Sequence, residues 1–137
     1  MPYIETTASV PISGRKEQTI KERMGKAIEL IGKTEGWLML AFHGDTPMYF
    51  KGDGDEPCAI CQVQLFGTVT EEGYAKLTEA LTDILREELE IEADRIYVTY
   101  KEIDTWGWNS GNIGSACCAN MYFAIRRRTR ATVANVP

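Results

Sequence analysis

The chain is poor in the residues from which metal centres, nucleic-acid surfaces and membrane spans are built. It has one histidine, His43. Zinc wants four ligands at characteristic spacing, and no third or fourth ligand is placed by spacing around the cysteines and His43, so no metal is expected. Lys and Arg number 15 against 20 Asp and Glu, a net charge of −5, which argues against the basic face that nucleic acid requires. An anionic substrate must therefore meet a local cation. No apolar run approaches the ~18 residues of a membrane span, and no basic-then-apolar leader opens the chain. The expected compartment is the cytoplasm. Four cysteines, Cys58, Cys61, Cys117 and Cys118, read in that setting as reduced thiols.

What is present divides into two halves with the same order of elements. The 137 residues suit one compact domain. An alternating stretch from Pro2 to Ser9 reads as a strand. Ile20, Met24, Ala27, Ile28 and Ile31 then recur at helical spacing between Arg15 and Lys33, with Ser13 as N-cap and Gly32 and Gly36 at the exit. Trp37 to His43 reads as a buried strand. After a Gly-, Asp- and Pro-rich connection (44–57), in which Met48, Tyr49 and Phe50 are expected to pack back, the order repeats. Cys58 to Phe66 is a strand, Tyr74 to Leu89 carries an apolar helical stripe, and Arg95 to Tyr100 is a strand.

Two β-α-β units predict an α+β domain with a four-stranded sheet and both helices on one face. Consecutive apolar residues in Leu38 to Phe42 and Cys58 to Leu65 predict that both sheet faces are dry, the second covered by a partner subunit. The domain is expected to span 1–114. Residues 115–137, with Cys117, Cys118, Arg126, Arg127, Arg128 and Arg130, are expected to form a peripheral or flexible extension.

Cys58-Ala59-Ile60-Cys61 has the spacing of a redox motif, but an extended strand separates its ends by about 10 Å and points the side chains apart. Disulfide Cα atoms lie within roughly 7 Å. A redox CxxC also opens a helix, whose N-terminus stabilises the thiolate. His43 reads as a surface or loop residue at a strand end.

Pro2 stands directly behind Met1 at the head of the first strand. A small residue there permits removal of Met1, which would leave a secondary amine rooted in a sheet. In an apolar site such an amine can act as a base near neutral pH.

Pro2-Tyr3-Ile4, Gly32-Lys33, Glu56-Pro57-Cys58-Ala59-Ile60-Cys61, Asp94-Arg95-Ile96-Tyr97-Val98 and Gly107-Trp108-Asn109 occur in order along the doubled β-α-β pattern. Together they resemble the macrophage migration inhibitory factor family of the tautomerase superfamily. The resemblance implies a homotrimer whose three sheets form an inner barrel, with active sites at subunit interfaces and no cofactor. It implies a keto-enol tautomerase of α-keto acids such as phenylpyruvate, with Pro2 as general base. Lys33 would hold the carboxylate, the backbone N–H of Phe66 would face substrate, and Tyr97 would reach in from the neighbouring subunit. Trp37, Thr99, Trp108 and Ile113 complete the expected substrate-binding set. Three of the pocket positions depart from the animal cytokine, with Trp37 for tyrosine, Thr99 for asparagine and Ile113 for phenylalanine, which changes the pocket's shape and hydrogen bonding. Trp106 lies in the same Gly-rich stretch at the mouth or packed on an edge.

An ordinary α-amine has a pKa of about 7.7 to 8, so the base role requires that burial and a neighbouring cation lower it. A second reading is a cytokine-like or host-interaction protein that keeps the fold for a receptor and carries a vestigial pocket; the animal relative is exported without a leader. A third is hydration or dehalogenation by the same proline, which usually brings extra arginines to the pocket, whereas here the arginines cluster in the extension.

Overall fold

The structure, a computed structural model, describes residues 1–114. The extension 115–137, with its cysteine pair and arginines, lies outside the described residues.

Strand β1 (Pro2–Ala8) buries Pro2, Ile4, Thr6 and Ala8 and turns Tyr3, Glu5 and Thr7 the other way, the period of two that a pleated strand imposes. Helix α1 (Gly14–Ala27) is capped by Ser13, whose Oγ accepts from the Lys16 N–H at 3.3 Å. It buries Ile20, Met24 and Ala27. The regular helix ends earlier than Lys33 and tightens into a 3-10 turn over Ile28–Ile31, stopped by Gly32 at φ +75°. There the Gly32 and Lys33 N–H groups bond back to Glu29 O at 3.0 Å and Ile28 O at 3.2 Å. Only glycine adopts this left-handed cap without steric cost, so Gly32 sets the point from which Lys33 projects.

The expected strand from Trp37 begins two residues late. Glu35–Trp37 is a 3-10 turn, in which Trp37 N–H bonds to Thr34 O at 3.2 Å and Leu38 N–H to Glu35 O at 3.1 Å. Local turn bonds there replace a sheet ladder, and β2 covers Met39–His43. In the second half, β3 (Ala59–Phe66), α2 (Glu71–Leu89) and β4 (Ile96–Ile103) follow the expected order. Thr70 caps α2, its Oγ1 accepting from the Gly73 N–H at 3.0 Å, and Glu71 and Glu72 fill the first turn, where the helix dipole favours negative charge. A hairpin of β5 (Thr105–Trp108) and β6 (Gly111–Gly114) ends the described chain.

The sheet order is β2-β1-β3-β4. Strands run parallel within each half, and β1 pairs with β3 antiparallel, Pro2 opposite Leu65 and Tyr3 opposite Gln64. The duplicated β-α-β with a mixed sheet is thus as expected. Ile4, Cys61, Val63 and Leu65 of the sheet join Ile20 and Met24 of α1 and Leu77, Leu81 and Leu85 of α2 in one core. Arg23 of α1 clamps the helices together through Glu87 at 2.7 Å and Glu88 at 3.1 Å.

In the single chain only the helix-facing side of the sheet is covered. The face away from the helices carries Tyr3, Glu5 and Thr7 of β1, Gln62 and Gln64 of β3, and Thr99 and Lys101 of β4, all half-buried or exposed. The unbroken apolar run of β2 belongs to a sheet edge, and Met39 in it is 67% exposed. The 44–57 connection also packs back only in part, because Tyr49 is exposed while Phe50 lies edge-on to Tyr97, with ring centroids 5.1 Å apart. No described helix is long and apolar enough to cross a membrane.

Candidate active site

Pro2 is fully buried at the start of an interior strand, where the pairing with Leu65 holds it from one side and β2 flanks the other. Beside it opens a cavity of about 630 Å³ walled by Met1, Pro2, Tyr3, Trp37, Met39, Gln64, Trp106 and Trp108, with Gly36 and Leu38. This volume lies in the range of small-molecule sites. All three tryptophans of the chain wall it. Trp37 and Trp108 meet edge to face with centroids 4.8 Å apart, so the 3-10 turn before β2 and the β5-β6 hairpin brace each other across the mouth.

Two backbone groups of Phe66 organise the deep end. Its N–H donates to the Met1 carbonyl at 3.2 Å, and its carbonyl accepts from Lys33 Nζ at 3.2 Å. Lys33 is not a wall of the cavity, yet its charge is felt there. The Met1 α-amine is lowered from 8.0 to about 6, first by burial and then by the Lys33 ammonium. Both causes disfavour the protonated form.

Of the residues picked from sequence, the structure gathers Pro2, Trp37 and Trp108 around the cavity, with Lys33 and the Phe66 backbone joined to it through Met1. Ile113 is buried on β6 opposite Trp106, a cavity wall. Tyr97 and Thr99 are elsewhere. They lie on β4 beside Ile60 and Gln62, Tyr97 being 57% exposed, and neither walls the Pro2 cavity of its own chain.

Tyr3, Met39 and Gln64 were missed from sequence. Gln64 enters because the antiparallel β1-β3 register sets it opposite Tyr3. The alternation two residues before Phe66 was visible, but the register was not.

Among the described residues, the two cysteines have no reactive setting. Cys58 and Cys61 are free and buried, Cys61 being pushed up to about 11 by burial despite its hydrogen bond with Thr6. A thiol held protonated is a poor nucleophile. Among the described residues no cluster of three or more His, Cys, Asp or Glu could hold a metal. His43, exposed at the end of β2, lies 3.5 Å from the Glu5 carboxylate.

A doubled β-α-β sheet with a buried proline at the head of its first strand, opening on an aromatic cavity, defines the tautomerase superfamily class. The family model for macrophage migration inhibitory factor (MIF) matches residues 1–118, and the chain belongs to this family. It is 32% identical over 111 residues to the macrophage migration inhibitory factor of Xenopus laevis, covering 80% of this chain and 96% of the relative. The crystal structure of Leishmania major MIF2 superposes with a TM-score of 0.78 at 31% identity, covering 82% of this chain and 97% of that one. Pt0534 shares the fold with a TM-score of 0.74 at 20% identity, covering 85% and 98%.

Proposed function

We propose that the protein is a cofactor-independent keto-enol tautomerase of α-keto acids of the phenylpyruvate type, with Pro2 as general base once Met1 has been removed. The observation that carries the reading is the depressed amine. One residue upstream of Pro2, the Met1 amine is already held at about 6 by burial and Lys33. Pro2 is more deeply buried than Met1, so its own nitrogen, freed by removal of Met1, would feel the same two influences.

In the enolising direction the neutral Pro2 nitrogen takes a proton from the carbon next to the ketone, and the C–H electron pair becomes the enolate. The prolinium then gives that proton to the enolate oxygen, which yields the enol and restores the neutral amine, and ketonisation runs the same transfers backwards, from enol oxygen to nitrogen to carbon. Met1 removal also frees the Phe66 N–H, now spent on the Met1 carbonyl, and a substrate oxygen takes its place. Donors aimed at the developing negative charge are the larger part of such catalysis. Lys33 offers a cation for the carboxylate, and the tryptophan walls accept an aryl group.

Tyr97 and Thr99 fit this reading as contributions to the cavity of a neighbouring subunit in a homotrimer. The polar face away from the helices suits the lining of a barrel interior better than a dry interface. Pt0534 has been crystallised inactivated by 2-oxo-3-pentynoate, an alkynyl α-keto acid to which a free secondary amine can add across the triple bond, the amine proton passing to carbon.

The test is ketonisation of phenylpyruvate enol by the Met1-free chain, set beside Pro2→Gly and a chain retaining Met1. The expected result is activity only in the first, together with a one-to-one 2-oxo-3-pentynoate adduct on Pro2 by mass spectrometry. Full activity with Met1 in place, or in Pro2→Gly, overturns the reading, since an acylated proline nitrogen has no basic lone pair.

A further inference from the structure

Resting on that reading, we infer that Gln64 is a specificity-determining residue of the site, donating its carboxamide N–H to an oxygen of the bound keto acid. The cavity has few polar side chains, and their partners can be followed one by one. The Tyr3 hydroxyl is committed to the Glu5 carboxylate at 2.8 Å, and Glu5 in turn faces His43 at 3.5 Å. The Lys33 ammonium is shared with the Phe66 carbonyl. Gln64, half-buried on the cavity wall, makes no side-chain hydrogen bond to any described residue. The wall also carries the indole N–H donors of Trp37, Trp106 and Trp108, and beside them the Gln64 carboxamide is the side chain with two uncommitted donors on one nitrogen.

The position of Gln64 is fixed by the sheet. It stands opposite Tyr3 on β1 and opposite Lys101 on β4, in the middle of three paired strands, so its backbone cannot retreat from the cavity. No buried side-chain polar atom among the described residues lacks a partner, so the Gln64 amide meets water when the site is empty, and it gains by exchanging that water for an anionic oxygen, because hydrogen bonds to charged acceptors are the stronger kind. Neutrality is the second part of the argument. A carboxylate in this place would stabilise the protonated proline and repel the substrate's own carboxylate, whereas an amide supplies a donor and leaves the amine depressed.

The experiment uses the Met1-free full-length chain with Gln64→Leu and Gln64→Glu. Binding of 3-phenylpropionate, an unreactive carboxylate, is read by the fluorescence of Trp37, Trp106 and Trp108, and catalysis by phenylpyruvate ketonisation. Gln64→Leu should weaken 3-phenylpropionate by about tenfold, the loss of one charge-assisted hydrogen bond. Its KM should rise by a similar factor while kcat changes by less than about threefold, the pattern of an interaction made in both ground and transition states.

Gln64→Glu should add an upward shift of about one unit in the acidic limb of the kcat/KM profile, a shift Gln64→Leu does not show. Circular dichroism and thermal melting confirm folding of both variants. Unchanged affinity and KM in folded Gln64→Leu, or an unmoved pH limb in folded Gln64→Glu, overturns the inference. An inactive Met1-free wild type, or a fully active Pro2→Gly, is instead the failure of the tautomerase reading. The two cases are separated by running Pro2→Gly alongside.

Discussion

Neutralising Lys33 as Lys33→Met tests how the site makes an amine into a base. The substitution keeps most of the side chain's length and removes its charge. In the structure the amine at the head of the chain falls from 8.0 to about 6, with burial the larger cause and Lys33 the smaller. Losing the smaller of two causes should return less than half of the shift, that is, less than about one pKa unit.

Only the neutral amine takes a proton, so kcat/KM for the Met1-free chain should rise as pH increases through the folded pKa and level off above it. Wild type should show that limb below the ordinary amine value, and Lys33→Met should show it higher by a fraction of a unit. Lys33→Met should also raise KM by at least about tenfold through loss of the carboxylate's cation, a charge-assisted contact. The assay is enol ketonisation at fixed ionic strength across pH 5 to 9, in parallel with an NMR titration of the Pro2 ring carbons. A wild-type limb at or above the ordinary amine value would refute the reasoning at its root. A Lys33→Met profile that coincides with wild type would show that burial alone tunes the amine.

Two further predictions concern stability. Glu90 ends α2 in the left-handed conformation at φ 55° and is exposed, so Glu90→Gly should stabilise the fold by up to about 1 kcal/mol; a lower melting temperature at matched protein concentration would contradict this. The Arg95 side chain, 12% exposed, donates to Pro57 O and Glu56 O at 2.9 Å and Asp53 O at 3.3 Å and lies 5.2 Å from the Phe50 ring centroid. Arg95→Met should cost about 2 to 3 kcal/mol in chemical denaturation, leaving those carbonyls without their donor, and an unchanged midpoint would show that water replaces it freely.

Legibility followed the range of the interactions. The caps at Ser13 and Thr70, the stop at Gly32 and the stripe on α2 are local, and each was readable where it stands. Pro2 and Lys33 were placed by motif. What escaped was set by pairing between distant strands. A one-residue change of register turns every side chain to the other face, so neither Gln64 as a wall of the Pro2 cavity nor the polar character of the open sheet face followed from local pattern. The apolar run at β2 shows the same limit, because hydropathy cannot separate a strand buried on both faces from an edge strand, and within one chain β2 is the edge.

Trp37 shows a third limit, since hydropathy places it in the strand and the structure places it in a turn two residues before β2. Its turn sets the indole edge to face with Trp108, and that contact braces the mouth of the cavity. A pocket whose base is fixed by an inner strand and whose mouth is fixed by a turn and a hairpin can vary its mouth without disturbing its base. That division is what the Trp37 and Ile113 departures would exploit, keeping the proton-transfer end while changing which substrates fit.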